Sequence, residues 1–362
     1  MKILLIGEFS SFHKMLKEGL EKIGHTVVLA SNGDGSRNIK RDINFAKVYK
    51  GKLGSLELIY RLFKIVPRLK NFDVVQLITP VSFPLNFGIN NYLTKKILSN
   101  NKNVFLVGAG GSNHNTAIAD FFETKYKYTN LYHEIKKNHN NKLWSQSNEG
   151  RIFNEFLLGK IKGYIPIMYE YAQPFRKGKG LNKLCKTIPI PLNIENIKYK
   201  ENKINNKIII FHGISRADKG TDIIEVAMKK IKEKYPDDVE IILKGNLPLN
   251  DYLEIISNAN IVIDQTYTVS YGVNAIYNMA MGKVVLGGGK AECLKEFNLN
   301  SSPLVPIEPN EKDIYKKLEY LISKKETIRK IGYDSRKFVE EVHDYKKIAK
   351  KFVDVWTEKS NL

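Results

Sequence analysis

Ile261-Val-Ile-Asp-Gln265, then Tyr271-Gly272-Val273-Asn274, then Met279-Ala-Met-Gly282-Lys283-Val-Val285 read in succession as a buried strand, a glycine-containing turn, a helix and a second buried strand. The first amides of such a helix have no intrahelical partner, and their dipoles sum to positive charge at the helix start. In an α/β protein, the loop from a strand's carboxyl end to a helix start is where anionic ligands dock. Each contact of this kind is worth roughly 0.3–1 kcal/mol when exposed and up to about 2 when partly buried. An anion is therefore expected at residues 271–274.

The alternation continues on either side of this stretch. Upstream, Ile208-Ile-Ile-Phe211 ends in His212-Gly213, and residues 222–234 are helical. Val239-Glu-Ile-Ile-Leu243 then leads to Lys244-Gly-Asn246, and residues 253–258 form a short helix. Downstream, residues 309–325 and 345–359 are helical, the last with Ile348, Phe352, Val353 and Trp356 along an apolar stripe. Strands alternating with helices at this spacing predict a parallel sheet. A separate series opens the chain: strand 2–6, helix 12–23 and strand 26–30 make the β-α-β start of a doubly wound domain.

Residues 73–78 and 103–107 continue that first series. Gly163–Ile167 and Thr187–Pro191 read as short strands flanking Tyr169-Glu170-Tyr171-Ala-Gln-Pro174, their prolines suited to strand ends. Residues 116–148, rich in Tyr, Lys, His and Asn, read as an insertion over the first domain's cleft, and the polar, unpatterned residues 193–207 as a linker. No glycine cluster completes a nucleotide fingerprint. Gly7-Glu8-Phe9-Ser10-Ser11 lacks the later glycines, Gly108-Ala-Gly-Gly-Ser112 is broken by Asn113, and Arg176-Lys-Gly-Lys-Gly180 has no G-K-[ST]. His133 and His139 have neither metal-site spacing nor a cysteine partner.

At 362 residues two domains are the natural expectation, and an apolar content of 43% can fill two cores. Cys185 and Cys293 suggest reduced thiols and a cytoplasmic protein. The apolar run after Met1-Lys2 is too short for a signal peptide, and no stretch approaches the ~20 apolar residues of a membrane span. Residues 1–195 carry 30 Lys/Arg against 14 Asp/Glu, a net of +16, while residues 196–362 carry 28 against 24, a net of +4. The first half is thus expected to face something anionic, or to be a solvated lysine-rich surface. Within it, Arg61, Lys64 and Arg68 follow helical spacing, with Leu58, Ile59, Leu62, Ile65 and Val66 on the other side. That pattern fits a helix lying on an anionic bilayer, or one buried on its own sheet, and Pro67 interrupts it.

Gly213-Ile-Ser-Arg216-Ala-Asp-Lys219-Gly220 resembles the glycosyltransferase pattern G-R-L-x-x-x-K-G, with the lysine in register and the arginine displaced by two. Ser270-Tyr-Gly272 and Met279-Ala-Met-Gly282-Lys283-Val-Val resemble E-G-F-G-x-x-x-x-E-A-M-A-x-G-K-P-V, with Val269 and Tyr277 where the two glutamates stand. Phe338-Val-Glu-Glu-Val-His-Asp344 and the helix after it add to the likeness. The chain thus resembles GT-B glycosyltransferases, and more narrowly the family-4 type that builds bacterial surface polysaccharides. The family's first-domain histidine is replaced by Gly108-Ala109.

This resemblance implies an α/β chain of two Rossmann-like, doubly wound domains facing across a cleft. Residues 1–192 would bind the acceptor and 208–343 the nucleotide sugar, with 344–362 returning as a helix to the first domain. The donor would meet Gly213, Arg216, Lys219, Lys244, Asn246, Gln265, Tyr271, Gly272, Val273 and Asn274, with Asp264 at the same strand end. The acceptor would meet Gly7, Glu8, Ser10, His13 and Ser112. Glu170 is the foremost acid/base candidate, followed by His114, while Arg216 and Lys219 would stabilise the leaving diphosphate without a metal or other cofactor. The expected partners are a nucleotide-diphosphate sugar, a lipid-linked glycan acceptor and an anionic inner-membrane surface, and not nucleic acid. Rival expectations are a sugar-nucleotide epimerase of the same plan, or a sugar-nucleotide-binding protein with impaired catalysis.

Overall fold

The computed structural model describes residues 1–110, 114–137, 143–178, 180–214, 219–245 and 247–360. They group into two compact units. The first comprises residues 1–125, 134–191 and 345–362, and the second comprises 126–133 and 192–344.

The sheet of the first unit contains β1 (Lys2–Ile6), β2 (Thr26–Ser31), β3 (Ile43–Asn44), β4 (Val74–Leu77), β5 (Val104–Gly108) and β6 (Gly163–Pro166). All its pairings are parallel, in the order β3-β2-β1-β4-β5-β6. β1, β4 and β5 are apolar at nearly every position because both faces of a central parallel strand are covered. Leu4, Ile6, Val75, Leu77, Val104 and Leu106 pack under helices α2 (Gly51–Ile65), α3 (Phe87–Asn100) and α6 (Asn148–Lys160). The opposite face carries α1 (Phe12–Lys22) and α14 (Tyr345–Ser360), with Trp356 of α14 against Phe105 of β5 and Phe352 edge-on to Phe12. Gly19 makes the close approach of α1 and α14 possible, since a Cβ there would lie 2.3 Å from the Tyr345 carbonyl oxygen.

The second sheet holds β7 (Ile208–Ile214), β8 (Val239–Gly245), β9 (Ile261–Ile263), β10 (Val284–Gly287) and β11 (Val305–Pro306) in the order β11-β10-β9-β7-β8, again all parallel. Isoleucines 208, 210, 261 and 263 pack against α8 (Thr221–Lys234) and α12 (Glu311–Ser323). Helices α9 (Leu249–Asn258), α10 (Val273–Ala280), α11 (Ala291–Glu296) and α13 (Glu326–Val342) complete this unit.

Several expectations change. Residues 187–191 form no strand, because Pro189 and Pro191 have no amide to offer a ladder; Ile188 N–H instead donates to the Pro166 carbonyl at 2.9 Å. The segment between the expected strands is helix α7 (Tyr169–Lys177), which contains Pro174. Of the expected insertion, residues 116–122 and 130–137 are helices α4 and α5, and residues 126–133 group with the second unit. The expected linker packs into the second unit, where the side chains of Asn202 and Asn260 bond at 2.8 Å. Leu58, Leu62 and Val66 are fully buried, so the apolar side read beside Arg61, Lys64 and Arg68 belongs to the core. α2 ends where a single 3₁₀ turn, Val66–Arg68, accommodates Pro67.

Candidate functional site

In open parallel sheets, ligands bind outside the carboxyl ends of the strands where the strand order reverses. That point lies between β7 and β9 in the second unit. Residues 261–285 reach it from one side and Lys219 from the other. Gly220 precedes α8 with φ +77°, and a Cβ there would meet Thr266 Cγ2 at 2.2 Å. This backbone needs glycine, and it carries Lys219 inward, where Thr266 N–H donates to the Lys219 carbonyl at 3.0 Å.

The Lys219 ammonium lies 3.5 Å from Asp264 Oδ1, both side chains nearly buried. Asn274 donates to the same oxygen at 2.7 Å, and the Tyr252 hydroxyl donates to Asn274 Oδ1. Burial pushes the Tyr252 phenol up to about 12, so it stays protonated as that donor. One polar chain thus ties the start of α8, the end of β9, the start of α10 and helix α9. His212 lies beneath it. Burial, with Lys219 nearby, lowers its pKa, which keeps the ring neutral: Nδ1 donates to the Ile263 carbonyl at 2.8 Å and Nε2 accepts from Thr221 Oγ1 at 2.9 Å.

α10 begins at Gly272, which offers no side-chain cap and has nothing within 4 Å of where a Cβ would stand. Its first amides therefore have no side-chain cap, beside the half-buried Val273 and Asn274. Gln265 is half-buried, and Gly213 stands opposite Lys244 at the sheet edge, where Lys244 is exposed. Tyr271 is 2% exposed and its hydroxyl bonds His343 Nε2 at 3.1 Å, so only its backbone is left to meet a ligand. Val269 is fully buried and Tyr277 half-buried at the positions of the missing glutamates. Arg216 and Asn246 lie outside the described residues.

The first sheet reverses between β1 and β4. Gly7, with φ +86°, sits where a Cβ would strike Ile78 Cγ2 at 2.3 Å. Glu8 then turns inward at 3% exposure and accepts from the amides of His13 at 3.2 Å and Lys14 at 2.9 Å. Burial outweighs those bonds and raises its pKa from 4.5 to about 7. His13, expected to meet the acceptor, lies inside the unit. It is fully buried, with Nδ1 2.7 Å from the Gly7 carbonyl and Nε2 3.2 Å from the Gln76 amide, and burial lowers its pKa to about 4.

Ser10, Ser11 and Asp34 all have positive φ and cluster at this loop. Ser10 N–H donates to Asp34 at 2.9 Å and Arg37 donates to Ser10 Oγ at 2.9 Å, which locks the strained turn. His114 Nδ1 lies 3.4 Å from Thr79 Oγ1, and burial lowers its pKa. Glu170 is buried in the first turn of α7. Ser112, like His139, lies outside the described residues.

Sequence reasoning missed His212, Tyr252, Thr79, Asp34 and Arg37. Positive φ at Asp34, the burial of His212 and the half-burial of Tyr252 appear only once the loops are folded. The sole local signal was that His212 ends an isoleucine-rich strand.

No family model and no curated protein sequence matches the chain. Solved structures do. Sucrose-phosphate synthase from Thermosynechococcus elongatus has a TM-score of 0.64 at 14% identity, covering 99% of this chain and 98% of that one. Anabaena HepE in complex with UDP and glucose has 0.63 at 13%, covering 99% and 100%. The UDP-GlcNAc 2-epimerase from Neisseria meningitidis, bound to UDP-GlcNAc, has 0.54 at 12%, covering 99% and 100%. With two parallel-sheet α/β units and this end-to-end likeness, the chain has the GT-B fold.

Proposed function

We propose that this protein is a glycosyltransferase that moves a sugar from a nucleotide-diphosphate sugar to a lipid-linked glycan acceptor in bacterial surface-polysaccharide synthesis. It would work in the cytoplasm, peripherally on the inner face of the membrane. The observation that carries the reading is the cluster at the second switch point, where Lys219 and the uncapped starts of α8 and α10 concentrate positive charge. In the transfer, the bond from the sugar's anomeric carbon to the diphosphate oxygen breaks and a bond to an acceptor hydroxyl oxygen forms. Charge grows on the leaving diphosphate, and prepositioned donors aimed at it are usually the largest catalytic contribution. Lys219 and the helix-start amides would fill that role without a metal or other cofactor, with Arg216 proposed as a second cation from the sequence alone. Asp264 holds the Lys219 ammonium in place before the donor arrives.

The acceptor hydroxyl must lose its proton. Glu170 is the first candidate to take it, with His114 as the alternative base. Glu8 adds a buried carboxyl titrating near neutrality, which suits proton transfer at working pH. That similar structures were solved with UDP and UDP-glucose supports a nucleotide-sugar donor. The epimerases among them support a second reading, in which donor is isomerised without an acceptor.

A thermal-shift screen with UDP and UDP-sugars tests the donor. A ligand at 100 times its Kd should add about 2.7 kcal/mol. Lys219→Ala should weaken donor binding about ten- to a hundredfold, as expected for a hydrogen bond to a charged group. Unchanged affinity and turnover in that variant would overturn the assignment, and isomerised donor without acceptor would favour the epimerase.

A further inference from the structure

Helix α2 is apolar on two sides. Leu58 and Leu62 bury one side in the core, yet the solvent side carries Leu53, Leu56, Tyr60 and Phe63 at 76, 63, 63 and 44% exposure. Their spacing of three, four and three residues sets them in one stripe along the helix. Tyr92 of α3 extends the stripe, stacking on Phe63 with ring centroids 5.3 Å apart and itself 55% exposed. An apolar surface this concentrated on a charged protein marks an interaction site.

The rim of the stripe says what fits it. Residues 47–70 carry seven Lys/Arg against the single carboxylate Glu57, which Arg61 already binds at 2.7 Å. Lys50, Lys52 and Lys64 are exposed, and the Lys64 ammonium sits 4.3 Å from the Tyr60 ring centre. A second copy of the chain would bring like charge against like. Nucleic acid would leave the central leucines unmatched. A surface with anionic headgroups over an apolar interior matches both parts. No described helix is long and apolar enough to cross a membrane, so contact would be along the helix.

We infer that the solvent stripe of α2 is a docking face for an anionic phospholipid bilayer, entered by Leu53, Leu56, Tyr60 and Phe63 and framed by lysines. This deepens, and rests on, the lipid-linked acceptor of the proposed function. It uses the face of α2 opposite the core leucines.

Vesicle flotation tests it, using phosphatidylcholine alone or with about one third phosphatidylglycerol. The protein should float with the anionic vesicles at low salt and at least tenfold less with neutral ones. A variant with Leu53→Ser, Leu56→Ser and Phe63→Ser should lose about tenfold or more of the anionic binding. A variant with Lys50→Gln, Lys52→Gln and Lys64→Gln should fall to the neutral-vesicle level. Flotation of the serine variant at the wild-type level overturns the inference. So does wild-type protein that never floats, or concentration-dependent dimers abolished by Leu56→Ser. UDP-sugar binding by the same preparations separates the two readings. Flotation without sugar-nucleotide binding defeats the transferase, and binding without flotation defeats the docking face.

Discussion

Replacing Glu8 by Gln probes a buried carboxyl of the first unit. Burial raises its carboxyl from 4.5 to about 7, despite the amides of Lys14 and His13 that favour its charge. Between those values the folded unit retains a proton that the unfolded chain has released. The stability tied to that proton is complete below pH 4.5 and is lost as pH rises through 7. At about 1.4 kcal/mol per pH unit, the loss over the window is about 3 kcal/mol. His13 has the opposite sign. Its pKa is lowered from 6.5 to about 4, so its contribution is complete above 6.5 and is lost as pH falls through 4. From pH 4.5 to 6.5 the two slopes oppose one another and nearly cancel. Glu8→Gln removes one of them, so the variant should gain on the wild type by about 3 kcal/mol between pH 4.5 and 7. The assay is urea unfolding followed by tryptophan fluorescence. The chain's two tryptophans, Trp144 and Trp356, both lie in the first unit, so the signal reports that unit alone. A stability difference that stays constant with pH, within about 0.5 kcal/mol, would refute the reasoning.

The other predictions concern the close contacts and the buried pair. Asp264→Ala leaves the Lys219 ammonium buried beside no carboxylate and should cost about 3–5 kcal/mol, seen as amide exchange at β9 and α10 faster by a hundredfold or more. Adding Lys219→Ala should recover part of that loss, and a fully additive double variant would show that the two side chains do not interact. Gly220→Ala forces φ +77° on an L-residue and drives a Cβ into Thr266; it should cost at least about 1–2 kcal/mol in thermal unfolding and weaken sugar-nucleotide binding. Gly19→Ala should lower the urea midpoint seen by Trp356 by the equivalent of about 1–3 kcal/mol, because α1 and α14 must separate.

Much of the fold was legible because parallel sheets write their central strands as unbroken apolar runs. Lys2–Ile6, Ile208–Phe211 and Val284–Leu286 could be placed from five or fewer residues each. Helix α3 was not legible, and its burial shows why. Asn90 and Thr94 occupy the inward face with Leu93 and Ile97, and Asn90 is satisfied by the Phe83 amide, so polar letters stand where the periodicity requires apolar ones. α7 was hidden by Pro174, which normally ends a helix but here sits within one of nine residues. At the second switch point the turn before α10 could be read, since a glycine before a helix is a local signal. The partners of Asn274 could not. Asp264, Tyr252 and Lys219 come together only through the order of β7 and β9 and the turn at Gly220.

The two switch points share a topology and differ in chemistry. At the second, a lysine, neutral His212 and two helix starts without side-chain caps gather, and the Asp264 carboxylate there is already bound by Lys219 and Asn274. Such a site stabilises a group that becomes more negative as it reacts, as a leaving diphosphate does. At the first, the start of α1 is filled by Glu8, whose carboxyl takes the amides of His13 and Lys14. A helix start already occupied by the protein's own carboxyl is a poor phosphate site, and a carboxyl titrating near 7 is better suited to exchanging a proton with a hydroxyl. The transfer proposed above would use this asymmetry: the second unit to hold the charge that departs, the first to take the proton that the acceptor gives up. Glu8→Gln therefore bears on function as well as stability. If the first unit handles that proton through Glu8, the variant should bind sugar nucleotide normally and lose turnover, most steeply where the wild-type carboxyl is ionised, above pH 7.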